Sequence, residues 1–170
     1  MVNTFPFLLE DMFNEILYND ALFNDISIST LYVSYSRGAY DLLPNNTVDL
    51  TTLYNLTDYA DVAAIDGIYV DQTGTFQFLL HQFKDVVQVA NTCDVTWVGT
   101  TNFPPNTNPP WTVITLQIFN RNSSTWELIA SNGTSPAYTQ ITLTAHMSDL
   151  TNYRDANGVI CCRVYQLALG

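Results

Sequence analysis

Charged side chains are scarce in this sequence. Only 12% of its 170 residues are Asp, Glu, Lys or Arg, about half of the roughly 25% usual in soluble domains. Cations are the scarcest: Arg37, Lys84, Arg121, Arg154 and Arg163 stand singly against 16 acidic residues, for a net charge of −11. Nucleic-acid binding needs clustered cations to displace condensed counterions, so no nucleic-acid partner is expected, and an anionic membrane surface is disfavoured for the same reason. Divalent cations or a basic protein partner remain open. No stretch approaches the ~20 apolar residues of a membrane helix. The apolar run near the N-terminus has no basic start and is broken by Glu10 and Asp11, unlike a signal peptide. Neither a membrane span nor secretion is expected, and synthesis and assembly in a cytoplasm is the simplest reading.

Catalytic signatures are missing as well. There is no G-x-S-x-G, H-E-x-x-H, Walker or dinucleotide-binding motif. His81 and His146 fall, by alternation, on the outward faces of expected strands. Glycoside hydrolysis needs two positioned carboxylates, and no pair among the 16 acids is set apart by its context. The expectation is a protein that is not an enzyme. Three cysteines in a chain of this size are no disulfide framework. Cys161 and Cys162 are adjacent, so in a strand they face opposite ways. At most one could pair with Cys93, and buried free thiols are the simpler reading. No C-x-x-C spacing or nearby histidine suggests a metal.

What is present is apolar and β-prone. Hydrophobic residues make up 47% and aromatics 13%, enough for a sizeable core in one domain. Thr, Asn and Tyr supply most of the polarity, and such side chains suit pleated surfaces. Residues 5–18 alone read as a helix: Leu8, Leu9, Met12, Phe13, Ile16 and Leu17 recur at helical spacing. Thr4 can cap it, and Asn19 and Asp20 end it. A lone amphipathic helix of this length is marginal in water, so it must dock, either on its own domain or on a neighbour. Leu8, Met12, Phe13, Ile16 and Leu17 are therefore the candidate assembly interface.

Residues 26–35 read as a strand, and Gly38 to Asn55 as a loop joining an N-terminal arm (1–59) to the main domain (60–170). From residue 60 the pattern is successive short strands. Phe76, Phe78 and Leu80 alternate; residues 86–98 suit one bent strand or two short ones; 102–110 hold too many prolines for a sheet interior. A tight turn at 121–124 separates strands through Ile118 and Trp126. The cleanest alternation is 138–147, with Ile141, Leu143, Ala145 and Met147 on one face. Asp155, Asn157 and Gly158 set up a last strand from Val159. Turn signals about every ten residues indicate an all-β antiparallel sandwich or jelly roll, with a short N-terminal helix.

The chain holds in order Tyr69-Val70-Asp71, Phe76-Gln77-Phe78-Leu79-Leu80, Thr115-Leu116-Gln117-Ile118-Phe119-Asn120, Thr125-Trp126-Glu127-Leu128-Ile129, Asp149-Leu150-Thr151-Asn152-Tyr153-Arg154-Asp155 and Gly158-Val159-Ile160-Cys161-Cys162-Arg163-Val164-Tyr165, a pattern of strand order and a few aromatics. Over residues 60–169 it resembles the jelly-roll, galactose-binding-like modules of tailed-bacteriophage structural proteins. The resemblance implies a non-catalytic virion protein on capsid, neck, tail or fibre. Its partners would be other virion proteins, further copies of itself as a homo-oligomer and, if it meets a host surface, glycans.

Two further constellations stand out. Asp58, Asp61, Asp66 and Asp71 are oxygen ligands at close spacing that could hold calcium, although the spacing is not that of an EF-hand and loop carboxylates are usually solvated. Phe103, Trp111 and Tyr138 lie at expected loop edges among Asn and Gln and could form a glycan platform. Against this, Trp97, Trp111 and Trp126 read most simply as core or interface anchors.

Overall fold

The computed structural model describes residues 34–87, 91–103 and 113–168. They form two antiparallel sheets in a sandwich-like all-β fold. Eight strands run β1 (Ser34–Tyr40), β2 (Thr52–Leu53), β3 (Phe78–Val86), β4 (Cys93–Gly99), β5 (Ile114–Asn120), β6 (Thr125–Asn132), β7 (Ile141–Met147) and β8 (Val159–Leu167), with one short helix, α1 (Leu56–Val62), after β2. The large sheet has the order β2-β1-β3-β8-β5-β6; β4 and β7 pair as the small one. The expected helix at 5–18 lies outside the described residues.

Register carries the packing. Tyr35 pairs with Phe83, Phe83 with Cys162, and Cys162 with Ile118, a buried row across four strands. Ile160, Val164 and Leu116 extend this face. Against it stand Val95, Trp97, Ile141 and Leu143 of the small sheet, all in the same core cluster. β7 alternates as its sequence requires, with Ile141 and Leu143 buried and Thr142, Thr144 and His146 exposed. All three cysteines are free thiols, and Cys161 and Cys162 are buried on opposite faces of β8.

The opposite face of the large sheet is buried too. Ser36, Leu80, Gln82, Cys161 and Arg163 are inaccessible there, and the chain between β1 and β2 crosses over them. Gln82 Nε2 donates to Val48 O at 3.0 Å, Leu50 N to Ser36 Oγ at 3.0 Å, and Arg163 Nη1 to Pro44 O. Lys84 Nζ reaches Asp49 at 2.6 Å. Arg163 also donates to Gln117 Oε1, and its guanidinium lies 4.1 Å from the Trp126 ring centroid. Burial pulls the Arg163 pKa down to about 10.

Several expectations are corrected here. β1 runs through Tyr40, so the irregular segment starts at 41, and it is a strap over the sheet instead of a linker. The boundary between 59 and 60 falls inside α1. Residues 34–40 pair along β3, so residues 34–59 do not form a separate arm. Phe76 lies before β3, with φ +56° and its ring exposed. The described part of the run 86–98 divides between two strands, the second of the two forms expected, with Val86 ending β3 and Cys93 opening β4. His81 is buried, because both faces of β3 are covered and alternation does not tell its faces apart. The turn signals hold. Asn120 Oδ1 accepts from the amides of Asn122 and Ser123, Asp155 Oδ1 accepts from Asn157 and Val159, and Gly158 takes φ +80°, where a side chain would be strained.

Trp97, 1% exposed, anchors the small sheet on the large one. Trp97→Ala is expected to cost about 3–5 kcal/mol in urea denaturation, against less than about 0.5 kcal/mol for Leu128→Ala on the surface. Equal losses would mean that the small sheet is not packed as described.

Candidate functional site

A groove of about 300 Å³ opens at one end of the sandwich, at the small end of the roughly 300–1,000 Å³ typical of ligand sites. Strand ends and turns bring it together: Thr100–Asn102 beyond β4, Tyr138 before β7, Gln166 near the end of β8, and residues 71–73. Its floor is apolar, from Leu79, Ile114, Val164 and Tyr165. One wall is rigid, because Thr101 Oγ donates to Gln166 Oε1 while Gln166 Nε2 donates to Phe103 O at 3.2 Å. The rim carries Asp71, Thr73, Thr100 and Asn102. Tyr138 stands over it, 79% exposed. Its backbone has φ +59°, fixed by its own N–H donating to Thr101 O at 2.7 Å.

Of the three aromatics expected to form a platform, only Tyr138 lines this groove. Phe103 is half-buried beside it and contributes its backbone to the wall. Trp111 lies outside the described residues, as do Leu8, Met12, Phe13, Ile16 and Leu17. The four aspartates do not meet. Asp58 is buried in the capping box of α1, where it accepts from Asn55 N and pairs with Arg37 at 3.0 Å. Asp66 accepts from its own neighbour, Ile68 N. Asp61 lies in α1, and only Asp71 reaches the groove. Among the described residues no group of three or more His, Cys, Asp or Glu could hold a metal ion, so the calcium expectation for this quartet is corrected. Of its two α1 members, Asp58 is already used in capping and ion pairing.

Among the described residues the groove lining includes one carboxylate and no histidine, cysteine, lysine or arginine. Such a lining can hydrogen-bond and stack but offers no nucleophile paired with a base. Thr100 follows the end of β4, and Gln166 lies within β8, whose two buried faces erase alternation, so no periodic signal marked either. The small polar run Thr100-Thr101-Asn102 after β4 was the one available cue.

The titratable groups with the largest shifts lie elsewhere, inside the fold. Tyr35 Oη donates to Asp85 Oδ2 at 2.9 Å, and Tyr54 Oη meets His81 Nδ1. Both pairs sit among the rings of Tyr59 and Phe83. Burial pushes Asp85 from 3.8 up to about 7, although the Tyr35 hydroxyl opposes it. Burial also pulls His81 from 6.5 down to about 3, with Arg37 adding to the effect. His146, as expected, is on the surface, with Nδ1 2.7 Å from Asp94 Oδ1.

Searches against family models, curated proteins and solved structures find no match to this chain.

The two buried groups have opposite pH dependences. Asp85 holds its proton more tightly when folded, so its contribution to stability is complete below about pH 4 and is lost as pH rises through about 7. His81 binds a proton less readily when folded, so its contribution is complete above about pH 6.5 and is lost as pH falls through about 3. Asp85→Asn should therefore gain stability relative to the unsubstituted protein as pH rises from 4 to 7, and His81→Gln as pH falls from 6.5 to 3. Denaturant midpoints across that range test both, and curves parallel to the parent would contradict the assignment.

Proposed function

We propose that this chain is a non-enzymatic structural module of a larger assembly, working by packing, and that the assembly is a tailed-phage particle. The observation that carries the packing role is the character of its surface. All five cationic side chains are already bonded within the chain: Arg37 to Asp58, Lys84 to Asp49, Arg121 to Asp155 and backbone carbonyls, Arg154 to Val87 O and Asn91, and Arg163 beneath the strap. What remains for a partner among the described residues is apolar, neutral polar and acidic, without a free cation. Large exposed apolar side chains gather in residues 53–68: Leu53, Leu56 (90% exposed), Ile65 and Ile68. This stretch runs from the edge strand β2 through α1, and Asp61 and Asp66 are interspersed in it. Apolar surface of this kind marks interaction sites, and the complementary surface would be apolar and basic. The resemblance of residues 60–169 to phage jelly-roll modules supports the virion location and a jelly-roll connection of the strands, with residues 5–18 as a second anchor.

A second reading, adhesion to a host glycan, is favoured by the groove with its exposed aromatic and polar rim. It is compatible with the first.

Leu56→Asp combined with Ile68→Asp tests the packing surface. Both side chains are exposed, so the melting temperature should hold while sedimentation shows loss of the oligomer and purified particles lose the protein. Deletion of residues 1–25 should likewise lower occupancy on the particle. Assembly of either variant at parental levels would remove its segment from the interface.

A further inference from the structure

We propose that the end groove binds a neutral saccharide, with the Tyr138 ring as stacking platform and Asp71 and Asn102 as its hydrogen-bonding groups; this rests on the glycan-adhesion reading and narrows it to a ligand class. Tyr138 is the first support. A bulky residue at positive φ is an outlier, costing about 1–3 kcal/mol, and persists only where its surroundings over-determine it. Here the Thr101 carbonyl holds the backbone, and the large ring stands exposed instead of folded onto the core. The second support is the division of labour among the polar groups. Thr101 and Gln166 satisfy each other and build the wall. The side chains of Asp71, Thr100 and Asn102 make no hydrogen bond with any described residue, so they are available to a ligand. A carboxylate accepts from adjacent hydroxyls, while an amide both donates and accepts. The apolar floor and the exposed ring suit the C–H face of a pyranose.

Charge sets the class. The lining has one carboxylate and no cation, on a chain of net charge −11. A sialylated, sulfated or phosphorylated ligand would face that carboxylate with nothing to pair it, whereas a neutral sugar pays no such repulsion. A peptide strand is the competing occupant, but strand addition is read through backbone groups, whereas this lining offers side-chain hydroxyls, amides and rings.

The full chain is screened on an array carrying neutral, sialylated and sulfated glycans and unrelated peptides, and hits are titrated by calorimetry. Expected are neutral-glycan hits that weaken about tenfold or more in Tyr138→Ala and in Asp71→Asn. Tyr138→Phe should bind within a few-fold of the parent, and all three variants should melt near the parental temperature. Binding of acidic glycans as tight as that of neutral ones overturns the ligand class while leaving adhesion standing. Neutral binding that Tyr138→Ala does not weaken overturns the groove as its site. Peptide hits alone, or no hits at all, overturn the inference and the adhesion reading together.

Discussion

The large sheet is organised around β8, which is buried on both faces. Ile160, Cys162 and Val164 point into the core between the sheets, while Cys161 and Arg163 point the other way and are equally inaccessible. A strand in that position obliges the protein to close both sides of its sheet. The small sheet closes one side with aliphatic side chains and Trp97. The strap 41–51 closes the other, where it meets polar groups as well as apolar ones. Arg163 is the clearest case. A buried guanidinium without acceptors is strongly destabilising, and here Gln117 Oε1, Pro44 O and the Trp126 ring supply its surroundings. Gln82 and Ser36 are met in the same way by Val48 O and Leu50 N–H. The strap therefore covers the polar groups of the sheet's outer face, although it is itself largely exposed and has no regular structure.

That closure decides where function can reside. The five cations are paired within the chain, so the features left facing outward are at the margins. One margin is the β2 edge with α1, apolar and acidic. The other is the open end, where four segments converge on the groove. The groups with the most perturbed pKa values, Asp85 and His81, are sealed among aromatic rings, and their perturbation follows from burial. Perturbed titration marks active sites only when the group is also accessible. In this molecule it marks the interior.

How much was legible in the sequence depended on how many faces each strand buries. β7 buries one, so Ile141 to Met147 showed a clean period of two. The turns at 121–124 and 155–158 were legible because Asn120, Asp155 and Gly158 have local work that any such turn requires. β3 buries both faces, which removed the alternation and sent His81 to the wrong side. The strap carries Pro44, Asn45 and Asn46, true turn formers, and local signals cannot tell a linker from a segment held by partners 30 or more residues away, as Val48 is by Gln82. Tyr138 was singled out by its setting among polar residues. Its groove partners Thr101 and Gln166 come from strand ends 65 positions apart, and no local pattern joins them.

The central claim is that the large sheet is closed on both faces, the outer one by the strap. Native-state amide hydrogen exchange reads this directly, because protection follows local opening. The slowest exchange is expected in β3, β8 and β5, with strong protection also of the Leu50 amide, which has no strand partner and is bonded to Ser36 Oγ beneath the strap. A Leu50 amide exchanging at the rate of an open loop, with β8 no better protected than the edge strand β6, would contradict the claim.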